Sequence, residues 1–203
     1  MKKIIIWGLV VVAVIVAVMM TTRPAKKTDI KEPVPVAQDV AEPEETSMSA
    51  KALVVYFSQT NNTEEVAEVI ARHLGIQTFE IEAAEPYSDE DINYRVMTSR
   101  ANREQNDDTA RPEIVSVPNL DEYDTIYLGY PIWWETFPKI INTLIETHVL
   151  DGKKIVAFCT SGSSAIDKSV QALQAYGLDV IASHRFSAGA SDSEIVEWVE
   201  TIK

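Results

Sequence analysis

The sequence predicts one α/β domain built on a doubly wound, five-stranded parallel sheet with strand order 2-1-3-4-5. Three observations carry that prediction. Beyond residue 50, short continuous apolar runs recur, ALVVYF at 52–57, TIYLGY at 125–130 and KIVAFC at 154–159; strands of this kind are covered on both faces. Between them lie segments whose apolar residues fall at helical spacing. Strands alternating with helices make parallel crossovers, and their right-handedness distributes the helices over both faces. The switch point of that order lies between strands 1 and 3, where ligands bind beyond the carboxyl ends of the strands.

The 203 residues suit one domain plus an appendage. Residues 4–20 form an apolar run of 17 behind Lys2 and Lys3, longer than the usual apolar core of an export signal (about 7–15 residues) and near the lower limit of a spanning helix. No small-residue cleavage site follows, so 1–22 are read as an uncleaved membrane anchor, with secretion after signal cleavage as the alternative. Basic residues flank the run on both sides, and the basic-then-apolar opening places the domain on the extracytoplasmic side. Residues 23–49, rich in proline, charge and small residues, read as a disordered linker. The folded domain spans 50–203.

Within the domain, 52–57 is the first strand. The helix at 63–74 carries Val66, Val69, Ile70, His73 and Leu74 on one stripe and is stopped by Gly75. Residues 76–81 alternate as the second strand. Residues 85–112 are polar, with a short helix expected over 92–103. After the third strand, 125–130, the helix at 138–146 presents Ile140, Ile141, Leu144 and Ile145. The fourth strand, 154–159, is followed by a helix at 163–176 and a fifth strand at 179–186. Ser191 and Glu194 have the spacing of a capping box for the last helix.

Charge and composition exclude several functions. The net charge is −13, and all of it lies beyond residue 48, where 25 acidic residues face 12 basic ones. Such a surface repels nucleic acid and favours basic partners. His73, His148 and His184 form no spaced ligand pair, so no metal site is expected. Cys159 is the only cysteine and, ending an apolar strand, reads as a small buried hydrophobe.

The switch-point rule selects three loops. The first, Ser58-Gln59-Thr60-Asn61-Asn62-Thr63, joins a strand end to a helix amino terminus, where free N–H groups and the helix dipole attract phosphate. It contains no Lys or Arg, which rules out the GxxxxGK[ST] nucleotide loop; a capped polar turn is the alternative reading. The second runs Tyr130-Pro131-Ile132-Trp133-Trp134, aromatic where a chain should turn polar. It suits either a core lid or a wall for a flat aromatic ligand. The third, Thr160-Ser161-Gly162-Ser163-Ser164, carries a glycine that permits close backbone approach or positive φ; taken alone it reads as a helix cap.

An anion cradle, an aromatic wall and a polar edge on one rim meet the needs of flavin mononucleotide (FMN). The first loop resembles the phosphate loop of the flavodoxin family, roughly S-x-[ST]-G-N-T, and GYPIWW and FCTSG are similar to the two loops that flank the ring in one branch of that family. AEPYSDEDINY and ARPEI also fall where that branch has similar segments. By this resemblance Ser58, Thr60, Asn61, Asn62 and Thr63 hold the phosphate, with the Asn61 N–H among the donors. Pro131, Ile132, Trp133 and Trp134 line one face of the ring, and Thr160, Ser161 and Gly162 meet its edge. Asn61 stands where the family usually has glycine; if φ is positive there, Asn is the non-glycine residue best tolerated. The resemblance implies a monomeric electron carrier, FMN-loaded and serving a basic redox partner protein. Two alternatives share the scaffold: an FMN-dependent NAD(P)H quinone or nitro reductase, with a second pocket built from residues 85–112, and a flavin-free binding module. In the reductase, Tyr94, Arg95, Arg100 and Arg103 are candidate anion-binding residues, against a solvated helical face as the plainer account.

Overall fold

The computed structural model describes residues 51–148 and 150–202. The anchor and linker expected over 1–49 lie outside the described residues. Among the described residues no helix is long and apolar enough to cross a membrane.

Five strands, β1 (Ala52–Tyr56), β2 (Gln77–Glu80), β3 (Thr125–Pro131), β4 (Lys154–Thr160) and β5 (Asp179–Phe186), form one sheet in the order β2-β1-β3-β4-β5. Every pairing is parallel. The helices are α1 (Asn62–Leu74), α2 (Arg100–Gln105), α3 (Lys139–Thr147), α4 (Asp167–Ala175) and α5 (Asp192–Glu200). The expected architecture and strand order are therefore present.

Strand residues alternate between two cores, as a period of two requires. Leu53, Val55, Phe57, Ile126, Leu128, Tyr130, Ile155, Ala157 and Cys159 pack with Ile140, Ile141 and Leu144 of α3 and Leu173 of α4. On the other face Val54, Tyr56, Tyr127, Val156, Phe158 and Phe186 meet Val66, Val69 and Ile70 of α1 and Ile195 and Val199 of α5. Each fully buried Ile, Leu or Phe contributes about 1.5–3 kcal/mol, so the three central strands are fixed by burial on both sides. The fully buried Tyr130 hydroxyl of β3 is satisfied: Tyr130 Oη lies 3.0 Å from Ser169 Oγ, and Ser169 donates to the Ile166 carbonyl at 2.7 Å.

Two helix starts differ from the sequence reading by more than one residue. The helix expected over 92–103 is confined to α2, because residues 92–99 form turns whose carbonyls at Tyr94 and Val96 accept from the buried Asn102 amide (3.1 and 2.7 Å). Helix α4 starts at Asp167 rather than 163, since the Ser161 N–H is taken by Phe186 O of β5 at 3.0 Å and the following residues extend the loop. At α5, Ser191 Oγ accepts from the Glu194 N–H at 3.3 Å, which supplies one half of the expected capping box.

The polar segment 85–112 is bound to the domain by charge. Arg111 grips Glu146 of α3 through two bonds of 2.7 Å, and Tyr176 donates to the same carboxylate at 2.8 Å. Those donors hold the Glu146 carboxyl well below the ordinary range, at about 2. A depressed carboxyl pKa contributes stability that is complete above the unfolded value and is lost as pH falls through the folded one. Glu146→Gln is therefore less stable than wild type at neutral pH, and the two converge between about pH 4.5 and pH 2. Denaturant unfolding across that window checks this. A second expectation concerns Gly129 in β3, where a Cβ would lie 2.2 Å from Phe158 Cζ. Phe158 is fully buried, so Gly129→Ala lowers stability by about 1–3 kcal/mol, read from the urea midpoint.

Candidate functional site

The parallel ladder brings the ends of β1, β3 and β4 to one rim. Tyr56 pairs with Gly129, Gly129 with Phe158, and Pro131 with Thr160. Two hydrogen bonds then knit the loops that leave these ends. Thr63 Oγ1 of the first loop lies 2.8 Å from Thr160 Oγ1 of the third, and the Ile132 N–H of the second donates to Thr160 O at 3.0 Å. The site residues expected from sequence therefore lie on three loops that are physically linked.

The first loop has the character of an anion cradle. Asn61 adopts φ 61°, ψ −12°, in the left-handed region, and its own side chain does not cap α1. The Glu64 N–H reaches Ser58 Oγ at 3.4 Å, and the Asn62 amide donates to Thr60 Oγ1 at 2.8 Å. Among the described residues, the N–H groups of Thr60, Asn61, Asn62 and Thr63 have no acceptor. Four free donors at a helix amino terminus, without a side-chain cation, fit a phosphate. Ser58 and Thr63 are buried, and both hydroxyls already bond within the protein. The donors left for an anion are mainly backbone.

In the second loop, the Trp133 N–H donates to Thr136 O at 2.8 Å and the Thr136 N–H to Trp133 O at 3.2 Å, closing a tight turn. Trp134 and Glu135 occupy its centre with φ 49° and 65°. This is the type I′ pattern that ordinarily selects Asn-Gly, and each non-glycine residue there costs about 1–2 kcal/mol. The turn is held from two sides. Gln105 of α2 donates to Trp133 O at 2.8 Å and to Phe137 O at 3.3 Å, and Lys168 of α4 pairs with Glu135. The two tryptophans have different environments. Trp133 packs edge-on against Phe57 and Tyr87, with ring centroids 5.8 and 5.5 Å away, whereas Trp134 is 40% exposed. Pro131 and Ile132 are half-buried. Ile132, Trp133 and Trp134 join Ile92 and Tyr94 in lining a cleft of about 310 Å³.

In the third loop Thr160 is buried, Ser161 half-buried and Gly162 exposed. Gly162 does not take positive φ; a Cβ there would meet nothing within 4 Å, so the open space beside it is the feature that remains. Cys159 is fully buried, and burial pushes its thiol up to about 12. It is an inert hydrophobe at neutral pH.

Arg100 and Arg103 of the 85–112 segment are engaged within it, whereas Arg95 is exposed. Arg100 bonds Glu104 at 2.6 Å, lies 3.9 Å over the Tyr87 ring and donates to Glu85 O. Arg103 donates to Thr98 O, and Arg95 sits against Tyr94. Sequence reasoning missed Tyr87, Gln105 and Arg185, which contact the loops from 23 or more residues away and carry no local signal. The left-handed Asn61 yields a direct expectation. Asn61→Ala loses about 1 kcal/mol, and Asn61→Gly loses none, as judged by thermal unfolding of the two variants.

The comparisons agree with this geometry. Residues 51–202 match the family model described as flavodoxin. A protein of Bacteroides eggerthii DSM 20697, described as a flavoprotein, is 37% identical; the match covers 75% of this chain and 98% of that one, with a TM-score of 0.70. A similarly described protein of Bacteroides uniformis ATCC 8492 is also 37% identical, over 74% and 98%, with a TM-score of 0.71. A flavoprotein from Lactobacillus acidophilus NCFM, solved in complex with FMN, is 23% identical over 74% and 99%, with a TM-score of 0.56, and shares the fold. With three linked loops on the carboxyl rim of a 2-1-3-4-5 sheet, the chain belongs to the flavodoxin family.

Proposed function

We propose that the domain binds FMN on the three linked loops and carries electrons to or from a basic protein. The observation that carries this reading is the set of four unpartnered N–H groups at Thr60–Thr63, set on the same rim as the aromatic turn at Trp133–Thr136. When bound, the flavin supplies one- and two-electron chemistry that no side chain provides.

The residues of the chain then have distinct tasks. The N–H groups of the first loop hold the phosphate, with Thr60 and Asn62 supplementing them. Ile132, Trp133 and Trp134 offer an aromatic and apolar face that excludes water, and Gln105 and Lys168 keep it in place. Thr160, Ser161 and Gly162 meet the polar edge of the ring. The 25 acidic residues beyond position 48 steer a basic partner into a short-lived complex and disfavour extra negative charge on the ring. The apolar run at 4–20 anchors the chain in a membrane, with the domain on its extracytoplasmic side.

One observation favours a second reading, an FMN-dependent reductase. The cleft lined by Ile92, Tyr94, Ile132, Trp133 and Trp134 is large enough, at about 310 Å³, for a small acceptor. Oxidation of NAD(P)H by the flavin-loaded chain selects this reading over the carrier.

The test is the visible spectrum of the full chain, purified in detergent, mixed with FMN and desalted. Flavin bands that remain with the protein, with quenched emission, are expected. A colourless protein that leaves FMN fully fluorescent overturns the proposal and leaves a flavin-free module. Changing Ser58, Thr60 and Thr63 together to alanine is expected to weaken FMN binding at least tenfold, through loss of the charge-assisted bond from Thr60 and of the Thr63–Thr160 pair that links the loops. Far-UV circular dichroism confirms that the variant is folded.

A further inference from the structure

Arg185 stands near the end of β5, paired with Cys159 of β4. Its guanidinium Nη2 donates to the carbonyls of Ser161 at 2.9 Å and Gly162 at 3.3 Å, and its buried Nε has no partner. Among the described residues it forms no ion pair. An unpaired arginine is unexpected in a domain with twice as many acidic as basic residues, because surface carboxylates are abundant and pairing is the default for a guanidinium drawn out of water.

The consequence for the third loop follows from peptide geometry. In a trans peptide the N–H points opposite to the C=O. With the Ser161 and Gly162 carbonyls turned to Arg185, the N–H groups of Gly162 and Ser163 point away from it. Neither N–H has an acceptor among the described residues. Arg185 thus takes two negative carbonyl ends out of play, leaves two positive ends free and adds a whole charge within hydrogen-bonding distance of the loop. All three effects have the same sign.

We infer that Arg185 is a positioning residue that makes the third loop selective for the reduced, anionic state of the bound ring. The inference rests on the FMN reading above, in which Ser161 and Gly162 meet the ring edge. It also assigns the domain a counterweight, since its many carboxylates disfavour that same anion.

The experiment compares oxidised and reduced FMN. The full chain in detergent is titrated anaerobically with each form. Dithionite supplies the two electrons of the reduced form, and one proton from water completes the anionic ring. In Arg185→Met the Kd for reduced FMN is expected to rise on the order of tenfold more than the Kd for oxidised FMN, the scale of removing one half-buried charge. Arg185→Lys, which keeps the charge but not the fork, is expected to recover at least half of that difference on a logarithmic scale. Equal weakening of both forms, or no change in either, overturns the inference and leaves Arg185 a structural clamp. A Lys variant as impaired as Met overturns the part assigned to charge. Should the wild-type chain bind neither form, the FMN reading itself fails; wild-type binding with an unchanged ratio in Arg185→Met sinks this inference alone. The midpoint potential of each variant provides a second readout that a purely structural role leaves unmoved.

Discussion

Everything at the rim depends on the burial of β1, β3 and β4 on both faces. A strand with one solvated face can slip or fray at its end, but one with apolar partners above and below can do neither without exposing a core. Leu53, Val55 and Phe57 face one core while Val54 and Tyr56 face the other, and the neighbouring strands repeat this pattern. The ladder fixes where each strand stops, and hence where each loop begins. A sheet with looser register would scatter the same loop residues over several levels.

On that platform, polar side chains set the loop conformations at close range. The Thr63–Thr160 hydroxyl pair and the Ile132 N–H join the loops to one another, while Gln105, Lys168 and Arg185 brace them from behind. These supports come from α2, α4 and β5, elements outside the three strands whose ends carry the loops. The apolar core therefore determines the position of the site, and a sparse polar frame determines its shape. The free N–H groups of the first loop and of Gly162 and Ser163 are what that frame leaves uncommitted.

The sheet was legible in the sequence because its evidence is local: each central strand is a short apolar run, and each crossover helix shows its own period. The rim loops were legible through the switch-point rule and through the family-like motifs, and Asn61 adopts the positive φ that its place in the motif requires. The division of labour between Trp133 and Trp134 was not legible. It depends on Phe57 and Tyr87, which reach Trp133 from 76 and 46 positions away. The extent of α2 was hidden for a similar reason, since the decision rests on the buried Asn102 amide of α2, which satisfies the carbonyls of the preceding turns. Arg185 gave no signal at all: a basic residue on an edge strand reads as a solvated charge or as protection of the edge.

The turn at Trp134-Glu135 also bears on how the domain responds to engineering. Writing Asn-Gly at these positions satisfies the backbone far better and is a simple route to a more heat-resistant protein. Such a variant would lose the exposed indole from the rim and the carboxylate that Lys168 holds. A consensus-driven search for thermostability would therefore select against Trp134, which lines the cleft, and the gain in melting temperature would come with the loss of that part of the cleft wall.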